Sequence, residues 1–263
     1  MMEKQHVGEF DLAFQDRGEG EDTVILLHGF CGSSAYWQDI IPLLDSSRVI
    51  TIDLRGHGKS GISDSPFSIE DMAKDIHYFM DQKQLENVYI FGHSLGGYVT
   101  LAIAELYREK LKGFGLIHST VLPDNVEAKE NRLKSIAVIK ENGLNTFVDD
   151  LAPKLFNPNK LNVLKDEIRL TKEIGYETSP VGAVETLKAM RNRKDRSAAI
   201  NNNNTPVLLI AGEHDQIIPK ENVFQEEAPH IHTEVLSESG HMSLFEQPEK
   251  LAYIIKEFIN QKQ

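Results

Sequence analysis

The sequence predicts an α/β fold organised as a doubly wound sheet, and two observations carry that expectation. Short apolar, β-branched runs alternate with helical patterns from Phe10 to His118, as strands joined by crossover helices do. The alternation stops at Leu122-Pro123 and resumes at Pro206, so one sheet is interrupted by a long stretch without convincing strands.

In chain order the first part reads as strand Phe10 to Gln15, strand Thr23 to Leu27, helix Tyr36 to Leu43, strand Arg48 to Ile52 and helix Ser68 to Met80. Ser68 suits the cap of that last helix, with Asp71 at its third position. Val88-Tyr89-Ile90-Phe91 is a buried central strand by its continuous apolar character. From Leu95 the period changes to a helical one through Val99, Leu101, Ala102, Ala104 and Leu106. Strand Phe114 to His118 closes this part. Four amphipathic patterns follow: Val126 to Glu141, Asn145 to Leu155, Asn159 to Ile174 and Pro180 to Arg193. Each is short enough to need an apolar partner. Asn201 to Asn204 is a polar hinge leading back to strand Val207 to Ala211, strand His232 to Leu236 and a closing helix Pro248 to Ile259. The boundaries expected are therefore 1–122 and 205–263 for the two parts of the core, with a helical insertion at 123–204.

Composition narrows the function classes. At 263 residues, with 40% hydrophobic and 26% charged positions, the chain can bury a large core. Forty acidic against 28 basic residues give a net charge of −12, which disfavours nucleic acid as a partner. No apolar run reaches the roughly 18 residues of a membrane span, and Met1 to His6 lacks a hydrophobic targeting core. Cys31 is alone, which fits a reducing, cytoplasmic setting and makes it a packing residue rather than a nucleophile. The ten histidines lack metal-ligand spacing, so neither metal nor cofactor is expected.

The chemistry concentrates at the ends of the predicted strands. Gly92-His93-Ser94-Leu95-Gly96 places a serine on a tight bend between strand and helix, and Gly92 and Gly96 leave room for it. Such a bend is a nucleophile elbow. A serine there needs a base, an orienting acid and donors for a developing oxyanion. His241, in Glu238-Ser239-Gly240-His241-Met242, follows strand His232 to Leu236 and is the candidate base. Asp215, in the loop after Val207 to Ala211, is the candidate acid, with Glu213 and Asp124 as rivals. The loop His28-Gly29-Phe30-Cys31 can bring the Phe30 N–H beside that of Leu95 as two oxyanion donors. Phe30, His93, Tyr98, His118 and Met242 are the pocket candidates. His28 and His57 read as loop-packing histidines, and Arg191, Arg193, Lys194 and Arg196 as either solvated surface or an anion-recognising rim.

The order Ser94, Asp215, His241, with the His28-Gly29 loop and Asp53-Leu54-Arg55-Gly56-His57-Gly58-Lys59-Ser60, closely resembles the α/β-hydrolase superfamily, in particular its lidded carboxylesterase-like serine hydrolases. The resemblance runs from Phe10 to Phe258. It implies a mostly parallel eight-stranded sheet flanked by helices, an all-helical cap at the insertion, a Ser-Asp-His triad, and Asp53 to Ser60 bracing the active-site floor. Serine at position 94, where dehalogenases and epoxide hydrolases of the superfamily carry aspartate, argues against both of those chemistries. The implied activity is hydrolysis of small carboxylic esters through an acyl-enzyme, on a small-molecule substrate. Carbon-carbon bond hydrolysis, a lyase like those of the menaquinone pathway, and a non-enzymatic small-molecule receptor on the same fold are the alternatives. Those lyases carry arginine where this chain has Tyr98.

Overall fold

The computed structural model describes residues 2–201 and 204–261. Among them eight strands form one sheet in the order β1-β2-β4-β3-β5-β6-β7-β8. These are β1 (Glu3–Val7), β2 (Phe10–Arg17), β3 (Thr23–Leu27), β4 (Arg48–Ile52), β5 (Val88–His93), β6 (Leu111–Ile117), β7 (Val207–Gly212) and β8 (Ile231–Leu236). β1 pairs with β2, and β2 with β4, antiparallel; every other pairing is parallel. All six residues of β5 and of β7 are buried, as strands covered on both faces must be.

Two apolar layers flank the sheet. One gathers Leu12, Ile25, Ile50, Ile76, Phe79, Ile90, Val99 and Leu116 around α1 (Ile69–Gln82) and α2 (Leu95–Leu106). The other gathers Leu26, Trp37, Phe91, Leu208, Ile255 and Phe258 around the C-terminal helix. α1 starts as expected: the Ser68 side chain accepts from the Asp71 N–H while Asp71 accepts from the Ser68 N–H, a reciprocal cap in which the serine alone is worth about 1 kcal/mol.

Between β6 and β7 the regular elements among the described residues are helical: α3 (Val126–Asn142), α4 (Leu144–Leu151) continued by a 3₁₀ turn (Ala152–Leu155), α5 (Lys165–Tyr176), α6 (Pro180–Arg191) and α7 (Ser197–Asn201). This is the inserted helical cap. After β7 come α8 (Lys220–Val223), α9 (Ser243–Glu246) and α10 (Pro248–Asn260). Of the expected Asn201–Asn204 hinge, positions 202 and 203 lie outside the described residues.

Three elements differ from expectation. Tyr36 to Leu43 is not a helix but two 3₁₀ turns, Ser34–Trp37 and Ile41–Leu43. Pro42 supplies no N–H for a continuing helix, while Tyr36, Trp37 and Ile40 are buried by the turns instead. The third cap helix begins at Lys165 rather than Asn159, because the Asn157 side chain accepts from the Asn159 N–H and holds a turn there. β1 was not foreseen, since Glu-Lys-Gln-His is polar and lies on an exposed edge.

Candidate active site

The carboxyl edges of β3, β4, β5, β6, β7 and β8 bring the chemistry-bearing loops together. Ser94 follows β5 with φ +50° and ψ −110°, a conformation few non-glycine residues adopt. Its geometry is fixed from both sides: the Ser94 N–H donates to the Ile117 carbonyl (2.9 Å) and the Ser119 hydroxyl donates to the Ser94 carbonyl (2.8 Å). The two glycines are required by clearance. A Cβ on Gly92 would lie 2.2 Å from the Gly96 carbonyl oxygen, and one on Gly96 would lie 2.3 Å from that of Leu27.

Across the bend, β3 runs into His28–Cys31. His28 is buried, donates through Nδ1 to the Gly29 carbonyl (2.8 Å) and accepts the Leu54 N–H at Nε2 (2.9 Å). Burial lowers its pKa to about 4, the Gly29 hydrogen bond opposing only in part. His57, also buried, is lowered to about 3 by desolvation and the neighbouring His28. Both are structural. Asp53 ties the floor by accepting the Ser34 N–H (2.7 Å) and the Lys59 N–H (2.8 Å). The Cys31 thiol is buried and pushed upward by desolvation, so it stays protonated. The Phe30 N–H donates to no other described residue, and the Leu95 N–H opens α2 with no preceding turn to receive it.

Asp215 lies in the loop after β7. Oδ1 accepts the N–H groups of Ile217 (2.8 Å) and Ile218 (3.0 Å), and Oδ2 accepts from His241 Nδ1 (2.7 Å). A second imidazole, His118 Nδ1, stands 3.4 Å from the same oxygen. Burial by itself would raise the Asp215 carboxyl; the neighbouring imidazoles, His241 foremost and then His118, outweigh it and hold the group well below the carboxylate range. The rivals are otherwise occupied. Glu213 is exposed and takes both its hydrogen bonds from Lys220 (2.7 and 2.9 Å), and Asp124 pairs with Arg193 and Arg132.

His241 is placed by two further contacts and by a clamp on its loop. Its N–H donates to the Leu155 carbonyl of the cap (2.7 Å), and its carbonyl accepts from His93 Nε2 (2.8 Å). Burial, then the nearby His241 and His118, lower the His93 pKa well below the ordinary value, so this ring is a neutral support. Glu246 in α9 clamps the same loop: Oε2 accepts from Gly240 N–H (2.8 Å), Met242 N–H (3.2 Å) and the Ser239 hydroxyl (3.0 Å), while Oε1 accepts the Asn157 N–H (2.7 Å). Sequence reasoning missed Glu246, whose one signal was its place five residues after His241.

A cavity of about 330 Å³ lies between the sheet edge and the cap. Ser94, His241, Phe30, His93, Tyr98 and Met242 line it from the sheet side. His118 does not line it. That ring is fully buried, and its Nε2 shares a 2.7 Å hydrogen bond with Ser243 Oγ. Two imidazoles thus converge on Asp215: His241, which lines the cavity together with Ser94, and His118, which is hydrogen-bonded to Ser243. The two serines differ in access: Ser243 has no exposed surface, whereas Ser94 is partly open to the cavity. His118, Asp215 and His241 also offer three ligand atoms within 4.8 Å of one another, and within that group His241 Nδ1 is already hydrogen-bonded to Asp215 Oδ2.

The basic cluster separates. Arg196 is buried and pairs with Glu70 (2.5 Å) and Glu105 (3.2 Å), and Lys194 pairs with Glu105 (3.2 Å). Arg191 hydrogen-bonds to the Asn192 side chain. Arg193 alone enters the cavity wall, its guanidinium 4.1 Å over the Tyr98 ring.

A family model described as alpha/beta hydrolase fold matches residues 22–248. The chain belongs to that family. Its Ser-His-Asp arrangement at the sheet edge is that of a serine hydrolase. In sequence it is similar to a protein of Bacillus subtilis (strain 168) named "Putative 2-succinyl-6-hydroxy-2,4-cyclohexadiene-1-carboxylate synthase", 26% identical over 94% of each chain. In structure it is similar to a thermophilic esterase from Thermogutta terrifontis solved with malate bound, 28% identical, with a TM-score of 0.92 over 99% of this chain and 98% of that one. An enol-lactonase from Burkholderia xenovorans LB400 superposes with a TM-score of 0.90 over 98% of this chain and all of that one; at 20% identity it speaks for the fold alone. Among the described residues no helix is long and apolar enough to cross a membrane.

Proposed function

We propose that the protein is a carboxylesterase acting on small esters and lactones, with Ser94 as nucleophile, His241 as base, Asp215 as orienting acid and the Phe30 and Leu95 N–H groups as oxyanion donors. The observation that carries this is the elbow: a serine at φ +50°, open to a cavity it shares with an imidazole whose other nitrogen is held by a buried carboxylate at 2.7 Å. Asp215 keeps the His241 Nδ1 protonated, which leaves Nε2 free to take the Ser94 proton as Oγ adds to the ester carbonyl. The tetrahedral oxyanion takes the two backbone donors. It collapses to the acyl-enzyme as the imidazolium hands its proton to the departing alkoxide. Water then repeats the sequence, His241 removing its proton, and the acid leaves with Ser94 restored.

The similar thermophilic esterase supports ester carbonyls as the substrate class, lactones being their cyclic form, and a cavity of about 330 Å³ favours small ones. We take residues 123–204 as the cap, with 1–122 and 205–263 as the core. A cytoplasmic setting belongs to the same proposal and rests on the lone, buried, unpaired Cys31. The test is labelling with a fluorophosphonate followed by peptide mass analysis. Ser94 is expected to carry the single adduct, and S243A should label as the parent protein does while S94A should not. An adduct on Ser243, or none on a folded protein, overturns the assignment.

A further inference from the structure

Two arginines and one aspartate from the cap-side segments line the cavity that Ser94 and His241 line from the sheet. Arg132 stands on α3, Arg193 follows α6 and Asp124 precedes α3. Asp124 lies between the two guanidiniums, pairing with Arg193 Nη1 through Oδ1 and with Arg132 Nε through Oδ2 (3.1 Å). Arg193 is further pinned by the Leu122 carbonyl (3.1 Å) and the Met190 carbonyl (3.0 Å). Arg132 is not: its two terminal nitrogens hydrogen-bond to no other described residue. Among the described residues no carboxylate other than Asp124 lines the cavity, so its wall carries one surplus positive charge in a chain of net charge −12. Asp124 and Arg193 are nearly inaccessible, with side chains 4% and 5% exposed, and Arg132 is 26% exposed.

Two partly desolvated guanidiniums that share the single Asp124 carboxylate leave one charge without a full counterpart, which is costly. A planar fork with unused N–H groups offers paired donors of the kind that meet a carboxylate. We propose that Arg132, backed by Arg193, is an anion subsite, so that the preferred substrates are small esters or lactones that carry a second, ionised carboxylate. This rests on Ser94 hydrolysing esters, and it deepens that assignment from any small ester to a charged one. Asp124 sets the geometry: it holds Arg193 in place and engages only the inner Nε of Arg132, leaving the outer edge of the fork for the ligand.

The experiment compares monomethyl glutarate, which carries one free carboxylate, with dimethyl glutarate, which carries none. Wild-type protein is expected to show a higher kcat/KM on the monoester, and glutarate itself should inhibit dimethyl-ester turnover competitively. Arg132→Gln should lower the monoester-to-diester ratio of kcat/KM about tenfold or more, mostly through KM, as expected for one charge-assisted hydrogen-bonding pair. Arg132→Lys should recover part of that ratio as a point charge without the fork. Glutarate affinity measured by calorimetry on S94A reads the subsite without any turnover. Absence of all ester turnover would overturn the hydrolase assignment while the calorimetry still decided the subsite. A wild-type ratio at or below one, with no glutarate inhibition, or a ratio unchanged in Arg132→Gln, overturns the anion subsite and leaves the esterase standing.

Discussion

Asp215→Asn is the sharpest perturbation of the proposed triad, because the structure dictates how the new amide must sit. Oδ1 of Asp215 accepts two backbone N–H groups, from Ile217 and Ile218. Only the amide oxygen can replace it there, so the NH₂ is forced onto the side that faces His241 Nδ1, now 2.7 Å from Oδ2. A donor at that place makes Nδ1 the acceptor and moves the imidazole proton to Nε2, the nitrogen that must receive the Ser94 proton. The size of the side chain and its two backbone hydrogen bonds are kept, so the fold should hold, although putting NH₂ in place of Oδ2 also removes the acceptor that faces His118 Nδ1. A wrong-tautomer imidazole costs a serine hydrolase about 10⁴-fold in kcat, equivalent to about 5 kcal/mol of barrier. The assay is p-nitrophenyl butyrate turnover near neutral pH, with circular dichroism to confirm folding and Glu213→Gln as the control, since Glu213 only pairs with Lys220. Asp215→Asn retaining more than a tenth of the parent activity, or Glu213→Gln losing as much, would refute the reasoning.

Glu246→Gln should destabilise the His241 loop, because an amide cannot accept at both oxygens: if its oxygen keeps Ser239, Gly240 and Met242, its NH₂ opposes the Asn157 N–H. One lost buried acceptor is worth about 2 kcal/mol, or about 4–8 °C in Tm for a chain of this size. A thermal melt unchanged within a degree would remove Glu246 from the clamp. Acid should unfold the protein through its buried neutral histidines. His28 and His57 have folded pKa values of about 4 and about 3, below the roughly 6.5 of an unfolded histidine, so the unfolded chain protonates first. Their stabilisation is complete above about pH 6.5 and is lost as pH falls toward those values, His28 accounting for about 3 kcal/mol. Urea midpoints should therefore fall between pH 7 and pH 4.5, and fall less in His28→Gln; equal midpoints at the two pH values would contradict this.

What the sequence made legible was local. The elbow, the strand-end loops of Asp215 and His241 and the cap of α1 each sit within a few residues of the feature that announces them, so spacing and turn chemistry sufficed. The parts that escaped are assembled over distance. Glu246 meets Asn157 from 89 positions away, and Arg193 meets Asp124 from 69; no window around either residue holds that information. Arg191, Arg193, Lys194 and Arg196 look like one basic patch in sequence, yet the turn between α6 and α7 sends Arg193 to the cavity and Arg196 to Glu70 and Glu105 of the core. Sequence proximity on a turn is not proximity in direction. Tyr36 to Leu43 failed for another reason: a helical apolar pattern outweighed a single proline, which ended the helix anyway.

The shared carboxylate of Asp215 explains how two buried imidazoles can coexist at one acid while only His241 opens on the cavity. An imidazole on each side of Oδ2 gives the carboxylate more stabilisation than either gives alone, and burial makes that stabilisation necessary. His118, lowered chiefly by its own burial, is a neutral ring. For it to donate through Nδ1 to Asp215, its Nε2 must accept, and the Ser243 hydroxyl at 2.7 Å is placed to donate there. Ser243 therefore spends its proton on fixing the His118 tautomer, with no surface open to a substrate. Ser94 differs in the backbone as well as in access. Cys31, Ser94 and His118 all have φ near +50°, and all three terminate or follow strands at the same edge of the sheet. Strain at His118 aims an imidazole inward to support the acid, whereas strain at Ser94 lifts a hydroxyl toward the cavity. The same unusual conformation thus serves positioning in one case and, under the proposed mechanism, attack in the other, and the difference lies in which side of Asp215 the cavity opens.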